Sequence, residues 1–134
     1  GDAVSTAARI ESKCKEYGCL LLVGEATYEA TKTDFFYLKV DDLQVKGKSV
    51  GLKIYTVLDK TYPAWRSAQK KHEQMHEDYL AQRFDDAIDK CRMLYTHFDH
   101  KMEGYYDMWI ERCEFQKTQD LPEDWNGVFI ATSK

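Results

Sequence analysis

With 134 residues the chain is one ordinary domain or a small domain plus an extension, and 43% hydrophobic residues supply enough apolar surface for a real core, which excludes wholesale disorder. A net charge of −4 excludes a binder of the nucleic-acid phosphate backbone, which needs a basic stripe. No apolar run approaches the roughly 18 residues that cross a bilayer, and no signal peptide is visible.

Residues 3 to 17 fit a helix. Val4, Ala7, Ile10, Cys14 and Tyr17 share one apolar stripe at about 100° per residue, with Asp2 placed as N-cap and Gly18 as stop. Ser5, Arg9, Ser12 and Glu16 form a second stripe on the opposite side. The continuous apolar run CLLLVG reads as a buried strand, and EATYEATK as a short helix. FFYLKVDDLQVK and VGLKIYTVL read as strands joined by a turn through Lys46, Gly47, Lys48 and Ser49. In the second of them Val50, Leu52 and Ile54 alternate with Gly51, Lys53 and Tyr55, the period of a half-buried strand. The first 58 residues are therefore mixed α and β.

The character changes at Thr61–Tyr62–Pro63, where Pro63 suits the first turn of a new helix. Trp65, Ala68, His72, Met75 and Tyr79 repeat at alternating three and four spacings, a helix seam. Phe84, Ala87, Ile88, Cys91, Leu94, Tyr95 and Phe98 predict a second helix, with Asp85 and Asp86 in its first turn, where the helix dipole favours negative charge. Tyr105, Met108, Trp109 and Cys113 predict a third helix, ended by Leu121–Pro122, and DWNGVFIATSK reads as a turn and a short extended tail. Cys14, Cys19, Cys91 and Cys113 have neither CxxC spacing nor framework density, so reduced cytosolic thiols are expected.

The opening GDAVSTAARIE resembles the G-D-x-V-N-x-A-A-R-L-E segment of class III nucleotidyl cyclases, the adenylate and guanylate cyclases. The stretch from YGCLLLVG to KIYTVL looks like the rest of that catalytic domain, with its V-K-G-K hairpin. Residues 63 to 134, with YYDMWIERCE and PEDWNGVFIATSK, look like the helical extension that ends many bacterial membrane-bound adenylate cyclases. The resemblance implies an α+β fold: a partial ferredoxin-like sheet-and-helix unit over 1–60, then an all-helical, TPR-like extension over 61–134. It implies attack of the ribose 3′ hydroxyl of ATP on the α-phosphorus, giving cyclic AMP and pyrophosphate.

Arg9 matches the family's transition-state arginine, whose planar fork can meet two phosphoryl oxygens. Lys46 matches the lysine that reaches the terminal phosphates; a turn lysine that keeps a strand edge soluble is the plainer alternative. Ser5 stands where the family usually has the ribose-orienting Asn, and it lacks the amide's separate donor and acceptor; the plainer reading is a first-turn helix residue. The family's two metal-binding aspartates lie on earlier strands. The chain is accordingly expected to be the distal part of a longer protein, with two Mg²⁺ or Mn²⁺ bound elsewhere and no activity alone. The implied partners are ATP and a second cyclase domain, most simply a homodimer, at the cytoplasmic end of an inner-membrane protein, with no membrane segment in this chain. An uncovered sheet edge would favour self-association.

Two further readings remain open. HEQMH, residues 72 to 76, fits the H-E-x-x-H pattern of zinc peptidases, yet Tyr79 and Gln82 stand where the longer motif needs Gly and His, and His72 falls on an apolar seam. Tyr79 followed by FDDAI resembles one tetratricopeptide-like unit, which allows an interaction or dimerisation module on a degenerate cyclase remnant.

Overall fold

The computed structural model describes residues 21–45, 51–57 and 63–131. They fall into two compact units, residues 21–45, 51–57 and 128–131 in one and 63–127 in the other. The first is built of β1 (Leu22–Gly24), α1 (Glu25–Thr31), β2 (Tyr37–Val45), β3 (Gly51–Val57) and β4 (Phe129–Ala131). Its sheet has the order β1-β3-β2-β4, antiparallel between β1, β3 and β2 and parallel between β2 and β4. The α+β class expected from the sequence is the one observed.

Directly opposed residues in a sheet point to the same face. Leu22 and Leu38 both oppose Thr56, Asp41 opposes Ile54, and Leu43 opposes Leu52, which defines one largely buried face. Lys39 and Val23 oppose Tyr55 on the other face, where Tyr28 of α1 stacks on the Tyr55 ring at 3.9 Å and 4°. The tyrosine buries its ring there, and burial pushes its hydroxyl up to about 12. The expected alternation in β3 carries on to Thr56 on the first face, and Tyr55 on the second is buried as well because Tyr28 of α1 covers it.

A one-residue slip between Lys39 and Asp41 interrupts β2. The extra residue turns Asp41 onto the face of Leu38 and Leu43, so Val40 and Asp41 are both buried. The Asp41 carboxylate accepts from the Asp42 backbone N–H at 2.8 Å. VDDLQVK gives no sign of this bulge, since its pattern suits a regular strand.

Two strand boundaries differ from the sequence expectation. Leu21, expected inside a buried strand, is exposed, and its carbonyl accepts from Thr56 Oγ1 at 2.6 Å. Phe35 and Phe36 precede β2 rather than belonging to it, because the N–H groups of Asp34 and Phe35 turn back to the Thr31 carbonyl.

The second unit holds α2 (Trp65–Leu80), α3 (Phe84–Leu94) and α4 (Glu103–Lys117), with a 3₁₀ turn over Phe98–His100. Most of the expected seam residues are buried, Ala68, His72, Met75 and Tyr79 on α2 and Phe84, Ala87, Ile88, Cys91 and Leu94 on α3, while Trp65 and Tyr95, expected on the same stripes, are only partly covered. On α4 the buried set is Tyr105, Tyr106, Trp109, Arg112 and Cys113; Met108, expected on that seam, is only partly covered. Tyr79 is the hub, meeting Phe84, Trp109 and Trp125 at centroid distances of 5.5, 4.7 and 5.0 Å. Such offset and edge-on ring pairs add about 0.5–1.5 kcal/mol each beyond area burial.

Two helix ends correct the expectation. The helix α3 stops at Leu94, and Phe98 lies in the 3₁₀ turn with φ at +57° instead of continuing the stripe. The helix α4 stops at Lys117, before Leu121–Pro122, because Thr118 Oγ1 takes the Phe115 carbonyl at 2.6 Å while the N–H groups of Thr118 and Gln119 close back on Phe115 and Gln116. The tail after Gly127, expected to be extended, becomes β4 and joins the sheet of the first unit. Among the described residues no helix is long and apolar enough to cross a membrane.

Candidate functional site

Arg9 and Ser5, with the helix expected to carry them, lie outside the described residues, as do Lys46 and the turn that holds it. Among the described residues β2 and β3 pair antiparallel as far as Gln44 opposite Gly51. The described parts of FFYLKVDDLQVK and VGLKIYTVL thus pair as the sequence leads one to expect. Lys39 and Asp42 sit 3.6 Å apart across the bulge on the half-exposed face, and Lys53 reaches Glu25 of α1 at 3.5 Å. These exposed pairs balance charge locally and contribute little to stability.

In the second unit the two histidines of HEQMH do lie together, with rings 4.5 Å apart. Each faces a tyrosine of α4: His72 Nδ1 pairs with Tyr106 Oη at 2.9 Å, and His76 Nε2 with Tyr105 Oη at 3.2 Å. His72 is only 1% exposed, the packed core histidine that its seam position predicts. Among the described residues no three His, Cys, Asp or Glu side chains converge in a way that could hold a metal ion, so HEQMH is not joined by a third ligand there.

Sequence reasoning missed the strongest polar cluster. Asp78, buried on α2, accepts from Arg83 Nε at 3.1 Å and Arg83 Nη2 at 2.8 Å, and from Lys90 Nζ of α3. Burial alone would raise its pKa, but the hydrogen bonds and charge of Lys90 and Arg83 outweigh it and hold the carboxyl below its usual range. The signal was present: a carboxylate beside Tyr79 on the seam needs a cation to be tolerated inside. The cluster joins α2 to α3.

Cys91 and Cys113 are buried free thiols; burial pushes Cys113 up to about 12 and also raises Cys91, so neither is a nucleophile at neutral pH. A shallow open cleft near Gln82 and Gln116 is crossed by the Lys117–Asp85 pair at 2.6 Å. Nothing in it converges on a reacting group.

Over 62 residues the chain is 47% identical to the terminal-differentiation-specific adenylate cyclase of Dictyostelium discoideum, a match covering 44% of this chain and 3% of that protein. Over 60 residues it is 40% identical to an adenylate cyclase of Anabaena cylindrica, covering 42% of this chain and 12% of the relative. The chain is therefore related to adenylate cyclases over less than half its length, and it spans only a small part of those relatives. No family model matches the chain, and no solved structure matches it.

Proposed function

We propose that this chain is the distal part of a class III adenylate cyclase catalytic domain followed by a TPR-like helical extension, serving an enzyme that converts ATP into cyclic AMP and pyrophosphate. The observation that carries this is the 47% and 40% identity to two adenylate cyclases over about 60 residues. It agrees with the matches of GDAVSTAARIE and V-K-G-K. In this reading the sheet unit belongs to a ferredoxin-like catalytic core facing a second cyclase domain, most simply in a homodimer on the cytoplasmic side of an inner-membrane protein.

In the reaction the ribose 3′ oxygen bonds to the α-phosphorus as the bond to the β-phosphate oxygen breaks and pyrophosphate leaves. Negative charge gathers on the phosphoryl oxygens. Arg9 meets it with a guanidinium that stays charged at any working pH. Lys46 holds the terminal phosphates as a point charge. Ser5 orients the ribose with one hydroxyl, less firmly than an amide, and small misplacements cost rate steeply. Two Mg²⁺ or Mn²⁺ ions would supply Lewis-acid chemistry, and in this reading their aspartate ligands belong to earlier strands of the catalytic domain.

A second reading, an interaction or dimerisation module on a degenerate cyclase remnant, is favoured by Ser5 in place of Asn and by the separately cored helical unit. One assay separates the two. The full-length protein with ATP and Mn²⁺ is expected to release cyclic AMP and pyrophosphate in equal amounts, while residues 1–134 alone release neither. A full-length protein that forms no cyclic AMP overturns the enzyme in favour of the remnant; an active 1–134 overturns the assignment of the metal ligands elsewhere.

A further inference from the structure

Residues 63–127 carry 14 acidic and 9 basic residues, a net charge of −5 where the whole chain has −4. The negative charge of the chain is therefore concentrated in the helical unit. Within that unit a cleft of about 320 Å³ opens beside the start of α3 and the end of α4. Three glutamines line it, and each is anchored through its amide nitrogen. Gln82 donates to the Pro122 carbonyl at 3.0 Å, Gln116 to the Tyr79 hydroxyl at 3.4 Å and Gln119 to Thr118 Oγ1 at 2.9 Å. Among the described residues nothing donates to their three amide oxygens. Asp85 adds a carboxylate to the same lining, and Lys117 Nζ meets it at 2.6 Å. Asp86 and Asp120, each next in the chain to a lining residue, are exposed and have no basic partner among the described residues.

We propose that this cleft docks an arginine side chain from a basic peptide segment of a protein partner, its guanidinium taking Asp85 over from Lys117 and donating to the glutamine oxygens. The proposal is independent of the cyclase reading, since it needs only the helical unit. A net negative unit with unused oxygen acceptors in its cleft selects a cation that carries several donors. A guanidinium has five N–H groups in a fixed planar fork and can serve a carboxylate and amide oxygens together, which a single ammonium cannot. Phe84 and Leu121, in the same lining, give the aliphatic stem an apolar wall. The volume lies at the small end of ligand pockets and suits one side chain. The acceptors are also held in place beforehand. Gln82 has a backbone φ of +62°, rare for a residue with a side chain, and the N–H groups of Gln82 and Arg83 lock that turn onto the Tyr79 and Asp78 carbonyls. Lys117 then acts as an internal stand-in for the partner's cation. With Lys117 42% and Asp85 76% exposed, their pair is solvent-screened and readily displaced.

The test uses the full-length protein and a blocked alanyl-arginyl-alanine tripeptide, titrated by calorimetry at low salt. The citrulline tripeptide, equal in shape but uncharged, is the control and is expected not to bind. Lys117→Gln frees Asp85 and is expected to tighten the arginine tripeptide roughly fivefold, while Asp85→Asn is expected to weaken it roughly fivefold, the scale of an exposed ion pair. Both side chains are exposed, so melts of the helical signal are expected to stay at wild-type values in both variants. A Lys117→Gln protein that binds no arginine tripeptide at about 10 mM overturns the site. Equal binding of the citrulline tripeptide, or an affinity that neither variant moves, overturns it as well. Spermidine binding as tightly as the tripeptide would show recognition of a bare cation and overturn the peptide partner.

Discussion

Asp78 shows how one buried carboxylate can decide the stability of the helical unit. Its side chain is 9% exposed, Lys90 is 24% exposed and Arg83 is 54% exposed, so the Arg83 contact is discounted for solvent and most of the effect runs through Lys90. Asp78→Asn keeps the shape but strands a partly buried ammonium, and is expected to cost about 2 kcal/mol, read from chemical melts of the helical signal. Because the folded carboxyl titrates below the ordinary 3.8, its contribution is complete above that value and is lost as pH falls through the lower folded one. Acid melts of the wild type are expected to show that loss and Asp78→Asn to lack it. Gly127 is a second such residue. Its φ is +75°, and an added Cβ would come 2.1 Å from Leu80 Cδ2, the movable end of an exposed side chain. Gly127→Ala is therefore expected to cost about 1–2 kcal/mol, mostly from the left-handed backbone, by the same melts.

Among the elements, those with a strong period were legible and those set by tertiary partners were not. The seams of α2 and α3 could be read directly, since Ala68, His72, Met75, Tyr79 and then Phe84, Ala87, Ile88, Cys91, Leu94 repeat at helical spacing and are buried as read. Tyr106 and Arg112 escaped because specific partners, not the period, account for them: Tyr106 pairs with His72 of α2, and Arg112 lies 4.7 Å over the Trp109 ring of its own helix. The β2 bulge left no local trace, and neither did the pairing of the tail with β2, a contact made across more than 80 residues of sequence. The bulge supplies an element-scale test. Deleting Val40 removes the extra residue and joins Lys39 to Asp41, whose partners Tyr55 and Ile54 are already adjacent, so residues on both sides of the slip keep their faces and partners. Hydrogen-exchange protection in β2 and β3 is expected to be largely kept; its collapse would contradict the bulge.

For the whole molecule, the sequence resemblance and the described structure bear on different parts of the same proposal. The residues expected to do chemistry, Ser5, Arg9 and Lys46, are carried by the motif matches alone. The described residues supply a four-stranded sheet in which β2 lies between β3 and β4, and a separately cored helical unit. HEQMH, the strongest competing motif in the sequence, is bound to two tyrosines inside that helical core. The candidate residues are read from motif alone and lie outside the described residues. The pairing of β4 with β2 was not legible, because pairing partners far apart in the chain leave no local pattern.

The most direct measurement is the rate of cyclic AMP formation by the full-length protein with alanine substituted for Arg9. Loss of a guanidinium from the charged transition state is expected to lower that rate a hundredfold or more, about 3 kcal/mol of barrier, with the protein still folded. An Arg9→Ala protein that cyclises ATP as fast as its parent would contradict the account.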